Sequence, residues 1–152
     1  SSAVKVGVTR IDQVPTRWVD QGASAAIRLA ETPNRYESGQ VEVALKTFFT
    51  DKTHWQKMLR NDIDESIDLV DEKWSLEEHL PADILALFSE NDEVTLLNYP
   101  VLEYPEKVKS LSFDKSPIVR GKLVGIKGQY LLFECGEVIN IRRHTGYYVE
   151  IK

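Results

Sequence analysis

Four residues near the start of the chain, Gly7, Thr9, Arg17 and Glu42, have types and a spacing that could support chemistry on a phosphate. A glycine at the end of a strand lets the backbone of a substrate approach closely. An arginine on the next helix could bind a phosphate through two parallel hydrogen bonds. A glutamate on the following helix could hold one divalent metal ion, which takes few protein carboxylates and several waters. Together these groups would support metal-assisted hydrolysis of a phosphodiester.

Each residue of this set also has an ordinary structural explanation. Gly7 could serve packing alone, and Arg17 could pair with a surface carboxylate. Glu42 would lie in the first turn of a helix that opens at Ser38, where the helix dipole favours a carboxylate. Spacing alone leaves both interpretations open.

A second polar cluster lies near the end of the chain and contains Asn140, Arg142, Arg143, His144 and Thr145, with Lys127, Gln129 and Tyr130 one hairpin earlier. Side chains alternate along a strand, so Asn140 and Arg142 would share one face. Basic and aromatic side chains on a small β-scaffold are a common way to bind phosphate or single strands. Arg142, Arg143 and His144 are therefore candidate nucleic-acid contacts, and a solvent-facing polar turn is the alternative.

Periodic patterns predict the elements that carry the first cluster. Alternation over residues 3–9 predicts a strand, and Asp12 can cap a short helix that Gly22 ends. Residues 24–31 read as a second strand. Ser38 opens a longer helix with one apolar face. The apolar positions of that helix are Val41, Ala44, Leu45, Phe48 and Phe49.

Helical signals continue into the middle of the chain. Asp51 or Thr53 restarts a helix, and residues 62–73 are acidic and loosely patterned. Ser75 with Glu78 forms a capping box that predicts a short helix through about residue 88.

From residue 93 onward the sequence has a β pattern. Glycines at 128, 136 and 146 supply the positive φ that tight turns need, so the last four strands are expected to form an antiparallel meander or half-barrel. The predicted strands cover residues 94–98, 108–113, 119–126, 129–135, 137–142 and 147–151.

The predicted class is therefore α+β, a small sheet with flanking helices followed by a β-rich antiparallel domain. We divide the chain into residues 1–61, an acidic helical connector at 62–92 and a β-rich domain at 93–152. Residues 62–106 carry one lysine against fourteen acidic residues, and both ends are mildly basic. Phosphate contacts would have to lie on those ends.

Composition excludes several classes of protein. The 152 residues have a net charge of −5, no apolar run long enough for a membrane span, and no recognisable signal peptide. Cys135 is the only cysteine, which excludes a disulfide within the chain and a cysteine-based zinc site. A buried, inert thiol in a cytoplasmic protein is the expectation.

The segments KVGVTR, TRW and VDQGA, with a glutamate opening an amphipathic helix, resemble the latter part of a GIY-YIG nuclease-type domain. Lys5-Val6-Gly7 stands where YIG would be, Arg17 where the essential arginine would be, and Glu42 where the metal-binding glutamate would be. The resemblance implies that the GIY strand and its tyrosine precede Ser1 in a longer chain. Lys5 replaces the YIG tyrosine, and the spacing from Gly7 to Arg17 is longer than usual.

The chain also resembles, from about Lys5 to Ile151, a prokaryotic family of uncharacterised proteins. Members of that family are expected to carry a cysteine-rich, metal-binding region upstream. The segments that carry this resemblance read KVGVTR, RWVDQGA, DKTHWQKML, GIKGQYLLF and NIRRHTGYYVEI here.

The GIY-YIG resemblance implies binding or processing of DNA or RNA. Arg17 and Lys5 would be catalytic, Glu42 would hold Mg²⁺ or Mn²⁺, and Thr9 and Arg10 would line the site. The alternative is a non-catalytic scaffold or protein-interaction module, with a protein as partner. The sequence leaves open whether the protein is an enzyme.

Overall fold

The computed structural model describes residues 4–49 and 52–152. Most of the short helices precede most of the strands, which form two small sheets, so the α+β class predicted from the sequence is confirmed. The helices are α1 (Val14–Asp20), α2 (Arg35–Leu45), α3 (Trp55–Leu59), α4 (Leu69–Trp74) and α5 (Ala82–Leu85), with 3-10 helices at Ile11–Gln13 and Ile141–His144. The strands are β1 (Ala25–Ile27), β2 (Val94–Leu96), β3 (Lys109–Leu111), β4 (Leu123–Lys127), β5 (Tyr130–Phe133) and β6 (Glu137–Asn140).

The start of α2 differs from the sequence prediction. The side chain of Asn34 accepts a hydrogen bond from the backbone N–H of Glu37 at 3.0 Å, so Asn34 is the N-cap and the helix begins at Arg35. Ser38 lies inside the helix and donates to the carbonyl of Arg35. Glu42 is consequently beyond the first turn, where the dipole explanation for a carboxylate no longer applies.

The N-terminal strand prediction is wrong over most of its length. Within residues 4–9 only Lys5 forms a β-bridge, and residues 1–3 lie outside the described part of the chain. The small sheet is instead made by β1 and β2, which pair antiparallel with Ala25 opposite Leu96. Strand β1 thus finds its partner beyond residue 92, across both predicted domain boundaries.

The second sheet has the order β3-β6-β5-β4. Strands β4, β5 and β6 form the predicted antiparallel meander, with Gly128 and Gly136 at positive φ in the two turns. The fourth strand is β3, which pairs with β6 in parallel. The predicted strand at 147–151 is therefore wrong: β3 covers the edge of β6, and the 3-10 helix after β6 turns the chain away.

The capping box predicted at Ser75 is also absent. Helix α4 begins at Leu69, well before the predicted cap, because Asp68 accepts from the N–H groups of Val70 and Asp71, and Ser75 is its C-cap. Residues 75–79 form turns before α5. The acidic stretch 62–73 thus contains a capped helix, which the polar pattern of its sequence concealed.

Two apolar clusters form the core. The first joins α2 to α5 and to the turns that precede α5, through Val41, Leu45, Leu76, Leu80 and Ile84. The second joins α3 to the larger sheet through Leu59, Tyr130, Leu132 and Val138. In the second cluster the ring of Trp55 stacks on Tyr130 with 5.8 Å between centroids. Helix α3 therefore completes the hydrophobic core of the β-rich part.

Gly39 offers a direct test of α2. It lies inside the helix, and a Cβ added there would meet no atom within 4 Å. Gly39→Ala should therefore raise the free energy of unfolding by about 0.5–1 kcal/mol, because alanine loses less backbone entropy in a helix. Urea denaturation followed by circular dichroism measures the change. A loss of stability would contradict the helical assignment at this position.

Candidate ligand-binding cavity

One large cavity, of about 1190 Å³, lies between the N-terminal segment, the first three helices and the end of β4. Each of the three helices presents to it residues spaced i, i+3, i+4 and i+7, which form one helix face. From α1 these are Val14, Arg17, Trp18 and Gln21; from α2, Ser38, Val41, Glu42 and Leu45; from α3 and its ends, His54, Lys57, Met58 and Asn61.

Two glycines allow the helices to meet around this cavity. Gly22 ends α1 with φ of +70°, and a Cβ there would lie 2.5 Å from the sulfur of Met58 on α3. Gly128 has φ of +58°, and its Cβ would lie 3.1 Å from the carbonyl oxygen of Asp20. Only glycine suits both the backbone angle and the close approach. The ends of α1, α3 and β4 are thereby brought together.

Arg17 and Glu42 line this same cavity, from α1 and α2 respectively. Arg17 is exposed, and within residues 4–49 and 52–152 its guanidinium has no hydrogen bond or ion pair. Glu42 is half-buried, and its carboxylate likewise has no partner among the described residues. Both charged groups thus remain available to a ligand.

The N-terminal segment forms another wall. The Nζ of Lys5 donates to Gln21 Oε1 at 2.6 Å and to Thr53 Oγ1 at 3.1 Å, which ties this segment to α1 and to the residues before α3. Thr9 is half-buried on the wall, and Arg10 is exposed and paired with Asp12 at 3.1 Å. Lys5, Thr9 and Arg10 therefore line the cavity together with Arg17 and Glu42.

The donor set restricts how a divalent metal could bind. No group of three or more His, Cys, Asp and Glu side chains suited to a metal occurs in the described part of the chain. Glu42 offers one unpaired carboxylate, which fits Mg²⁺ or Mn²⁺ only when waters and a ligand supply the remaining oxygens. A metal would therefore bind with its substrate rather than in a preformed protein cage.

The cavity is basic although the chain as a whole is acidic. Nine Lys and Arg side chains line it against six Asp and Glu. Such an excess of positive charge in a concave site raises the local concentration of anionic ligands. The acidic surplus of the chain lies mostly outside, in residues 62–106.

Lys127, at the end of β4, lines this cavity, whereas the sequence pattern grouped it with the C-terminal polar cluster. Its side chain is 2% exposed, and its Nζ donates to Asn61 Oδ1 at 2.8 Å. The Nζ also lies over the rings of Tyr99 and Tyr104, at 5.3 and 5.0 Å from their centroids. Burial lowers the pKa of Lys127 to about 8. The sequence signal for the burial of Lys127 is the alternation of side chains along a strand, which puts Lys127 on the same side of β4 as the buried Gly125.

The rest of the C-terminal cluster does not join this cavity. His144 is buried; its Nε2 accepts from the N–H of Phe113 at 3.2 Å, so its Nδ1 donates to the carbonyl of Asn140 at 2.8 Å. A phosphate at His144 would have to displace one of these partners. Arg142 and Arg143 are exposed on the 3-10 helix after β6, and their role as nucleic-acid contacts stays a prediction.

Cys135 is exposed, and the expectation of a buried thiol is wrong. It lies at the tight turn between β5 and β6, beside Gly136 with φ of +78°. The turn directs its side chain outward, where its thiol donates weakly to Glu137 at 3.6 Å.

Fold and site together define an α+β protein with a large basic cavity between its N-terminal helices and its C-terminal sheet. No helix in residues 4–49 or 52–152 combines the length and the apolar character needed to cross a membrane.

The chain belongs to the family described as protein of unknown function (DUF2797), whose model matches residues 1–149. This confirms the expectation of an uncharacterised family that spans nearly the whole chain. No curated protein and no solved structure matches the chain.

Proposed function

We propose that the cavity binds a strand of nucleic acid, with Arg17 in contact with a phosphate. The observation that carries the proposal is that Arg17 and Glu42, selected from the sequence as a phosphate ligand and a metal ligand, line one basic cavity. Its volume of about 1190 Å³ exceeds the roughly 300–1,000 Å³ typical of small-molecule pockets, which suits a segment of a polymer.

Hydrolysis of the bound strand is the second part of the proposal. Glu42 would hold Mg²⁺ or Mn²⁺, which supplies neutralisation of charge on the phosphate when it is bound. Arg17 would orient the phosphate through two hydrogen bonds. Lys5, which replaces the tyrosine of the GIY-YIG pattern, keeps the N-terminal segment against α1 and so shapes the wall on which Thr9 and Gly7 lie.

Open space beside Gly7 fits the same ligand. A Cβ added at Gly7 would meet no atom within 4 Å, so packing within the described part of the chain does not explain a glycine there. Gly7 is exposed and lines the cavity. A closely approaching ligand backbone would explain why this position has no side chain.

Binding is tested by titrating fluorescently labelled single-stranded DNA and RNA with the protein at low and at moderate salt. We expect affinity to fall steeply with salt, because phosphate contacts release counterions. Arg17→Ala should lower the affinity by at least about tenfold, the effect of losing one charge-assisted contact. The matched control is Arg120→Ala, an exposed arginine outside this cavity, which should bind as the parent does.

Hydrolysis is tested separately with the same strands and added Mg²⁺ or Mn²⁺. Glu42→Gln should remove metal-dependent cleavage and retain binding, whereas Glu106→Gln, an exposed glutamate outside the cavity, should retain both. Binding without cleavage in the parent would reject the nuclease part alone. Absence of binding at both salt concentrations would reject the nucleic-acid proposal and favour the scaffold or protein-interaction alternative.

A further inference from the structure

We propose that Lys127 is an anion-binding residue of the cavity, where its ammonium group binds the phosphate or carboxylate oxygens of a ligand. The proposal shares its cavity with the proposed function. It rests on the surroundings of Lys127 and Asn61 rather than on Arg17 or Glu42, so either proposal can fail alone.

The first observation is a buried cation without a counter-charge. Lys127 is 2% exposed, and the acceptor of its Nζ hydrogen bond is the neutral amide of Asn61. None of the ion pairs in the described part of the chain includes Lys127. Buried charges in proteins are almost always paired, because desolvation of an unpaired ion is costly. An anion from outside the chain would supply the missing charge.

The other fully buried lysine shows how this protein satisfies such a group when its role is structural. The Nζ of Lys73 donates to the carbonyls of Ser89 and Asn91 and to the carboxylate of Asp92. Lys73 thus has three oxygen partners, one of them charged. Lys127 has one, and it is neutral.

The ammonium group of Lys127 has hydrogen-bond donors left for a ligand oxygen. An ammonium group has three donors, and Asn61 takes one of those of Lys127. Both Lys127 and Asn61 line the cavity, so the amine is at its wall although little of it is exposed. The rings of Tyr99 and Tyr104 lie on the Nζ and favour its charged form by cation–π attraction.

The partners of Lys127 are themselves held in place. The hydroxyl of Tyr99 donates to the carbonyl of Ala23 at 2.8 Å. Asn61 has φ of +56°, a left-handed conformation that few residues other than glycine and asparagine adopt readily. Asn61 therefore adopts an uncommon backbone conformation while its side-chain amide accepts the hydrogen bond from Lys127. The site is therefore preorganised before a ligand arrives.

The charge of this site depends on pH through Lys127. Burial lowers its pKa to about 8, whereas burial raises the pKa of Tyr99 to about 12 and also raises that of Tyr104. The two tyrosines therefore stay neutral at the pH where Lys127 titrates. After burial, the neighbouring Tyr104 and the carboxylate of Asp20 raise the pKa of Tyr99 further. Anions should bind below about pH 8, where the amine is charged, and dissociate as pH rises above it.

The test is calorimetric titration of the whole chain with inorganic sulfate and with adenosine monophosphate at about pH 7 and about pH 9.5. We expect saturable binding at the lower pH and a loss of affinity of at least about tenfold at the higher one. Lys127→Met should show the same loss of affinity at about pH 7. Lys127→Gln, a second variant with a side chain of similar length, should show it too. The control is Lys122→Met, an exposed lysine outside the cavity.

Equal sulfate and nucleotide binding by Lys127→Met and the parent, no binding by the parent, or an affinity unchanged by pH would each overturn the proposal. The source of the anion is distinguished by a third titration with a labelled oligonucleotide. Binding of sulfate and nucleotide but not of the oligonucleotide would support the Lys127 site and reject the nucleic-acid function. Arg17→Ala should retain sulfate binding, because Lys127 and Asn61 are unchanged in that variant.

Discussion

Leu59→Ala should lower the free energy of unfolding by about 3–5 kcal/mol. Leu59 is 0% exposed and packs against Tyr130, Leu132 and Val138 of the larger sheet. Truncation removes the apolar contacts and leaves a cavity that the surrounding sheet can only partly fill. Urea denaturation, followed by tryptophan fluorescence and by far-ultraviolet circular dichroism, measures the change.

The matched control is Leu102→Ala, which removes the same atoms from a side chain that is 87% exposed. It should change stability by no more than about 0.5 kcal/mol. A Leu59→Ala effect as small as that of the control would show that α3 does not pack on the sheet in solution.

The same experiment bears on the division of the chain. Leu59 belongs to the segment predicted as a first unit, whereas its contacts lie in the segment predicted as a β-rich domain. Pairing of β1 with β2 and the hydrogen bond from Tyr99 to Ala23 also join these segments. We therefore expect one cooperative transition with both optical signals. Separate transitions would favour the three-part division.

Lys73→Met should lower the free energy of unfolding by about 3 kcal/mol. The 1% exposed lysine links α4 to the loop before β2 through the carbonyls of Ser89 and Asn91 and the carboxylate of Asp92. Methionine fills similar volume but donates no hydrogen bond. The carbonyl of Ser89 would then be buried without its donor, which costs the desolvation of that group.

Denaturation of Lys73→Met is compared with that of two other lysine variants. Lys122→Met removes an exposed lysine whose ion pair with Glu134 spans 3.6 Å, and should change stability by less than about 1 kcal/mol. Lys127→Met should leave stability unchanged or raise it, because it replaces a buried amine that has no carboxylate partner. A loss with Lys127→Met as large as with Lys73→Met would mean that both lysines are primarily structural.

An acid titration checks the Lys73 network independently. Two hydrogen bonds lower the pKa of Asp92 below its usual value of 3.8, and the one from Lys73 has a larger effect than the one from Trp74. A carboxyl group with a lowered pKa stabilises the fold above its unfolded pKa, and this contribution is lost as pH falls through the folded value. The stability difference between the parent and Lys73→Met should therefore shrink below about pH 3.8.

These stability measurements also guide the functional tests. Lys127 and Arg17 lie on the cavity wall and lack a carboxylate partner in the described part of the chain, so their substitution should alter binding more than folding. Lys73 also borders the cavity, yet its three oxygen partners explain it as a structural residue. Lys127 is the buried lysine without a carboxylate partner, so the binding experiments are made on Lys127 and not on Lys73.

The sequence by itself determined the α+β class, the meander of the last strands and the residues Arg17 and Glu42 as a pair worth locating. These features depend on local signals. Glycine is needed where the backbone takes positive φ, as at Gly128 and Gly136, and helical spacing places Glu42 on the same face as Val41 and Leu45. Such signals act over a few residues and can be read without knowledge of the fold.

Tertiary structure alone decided which residues share the cavity and which of the two fully buried lysines lacks a carboxylate partner. The surroundings of Lys127 come from Asn61, Tyr99 and Tyr104, all of which are distant from it in sequence. Burial and the resulting fall of its pKa are properties of that assembly and not of the lysine. The parallel pairing of β3 with β6 likewise depends on a long-range contact, which replaced the strand that local alternation had predicted at 147–151.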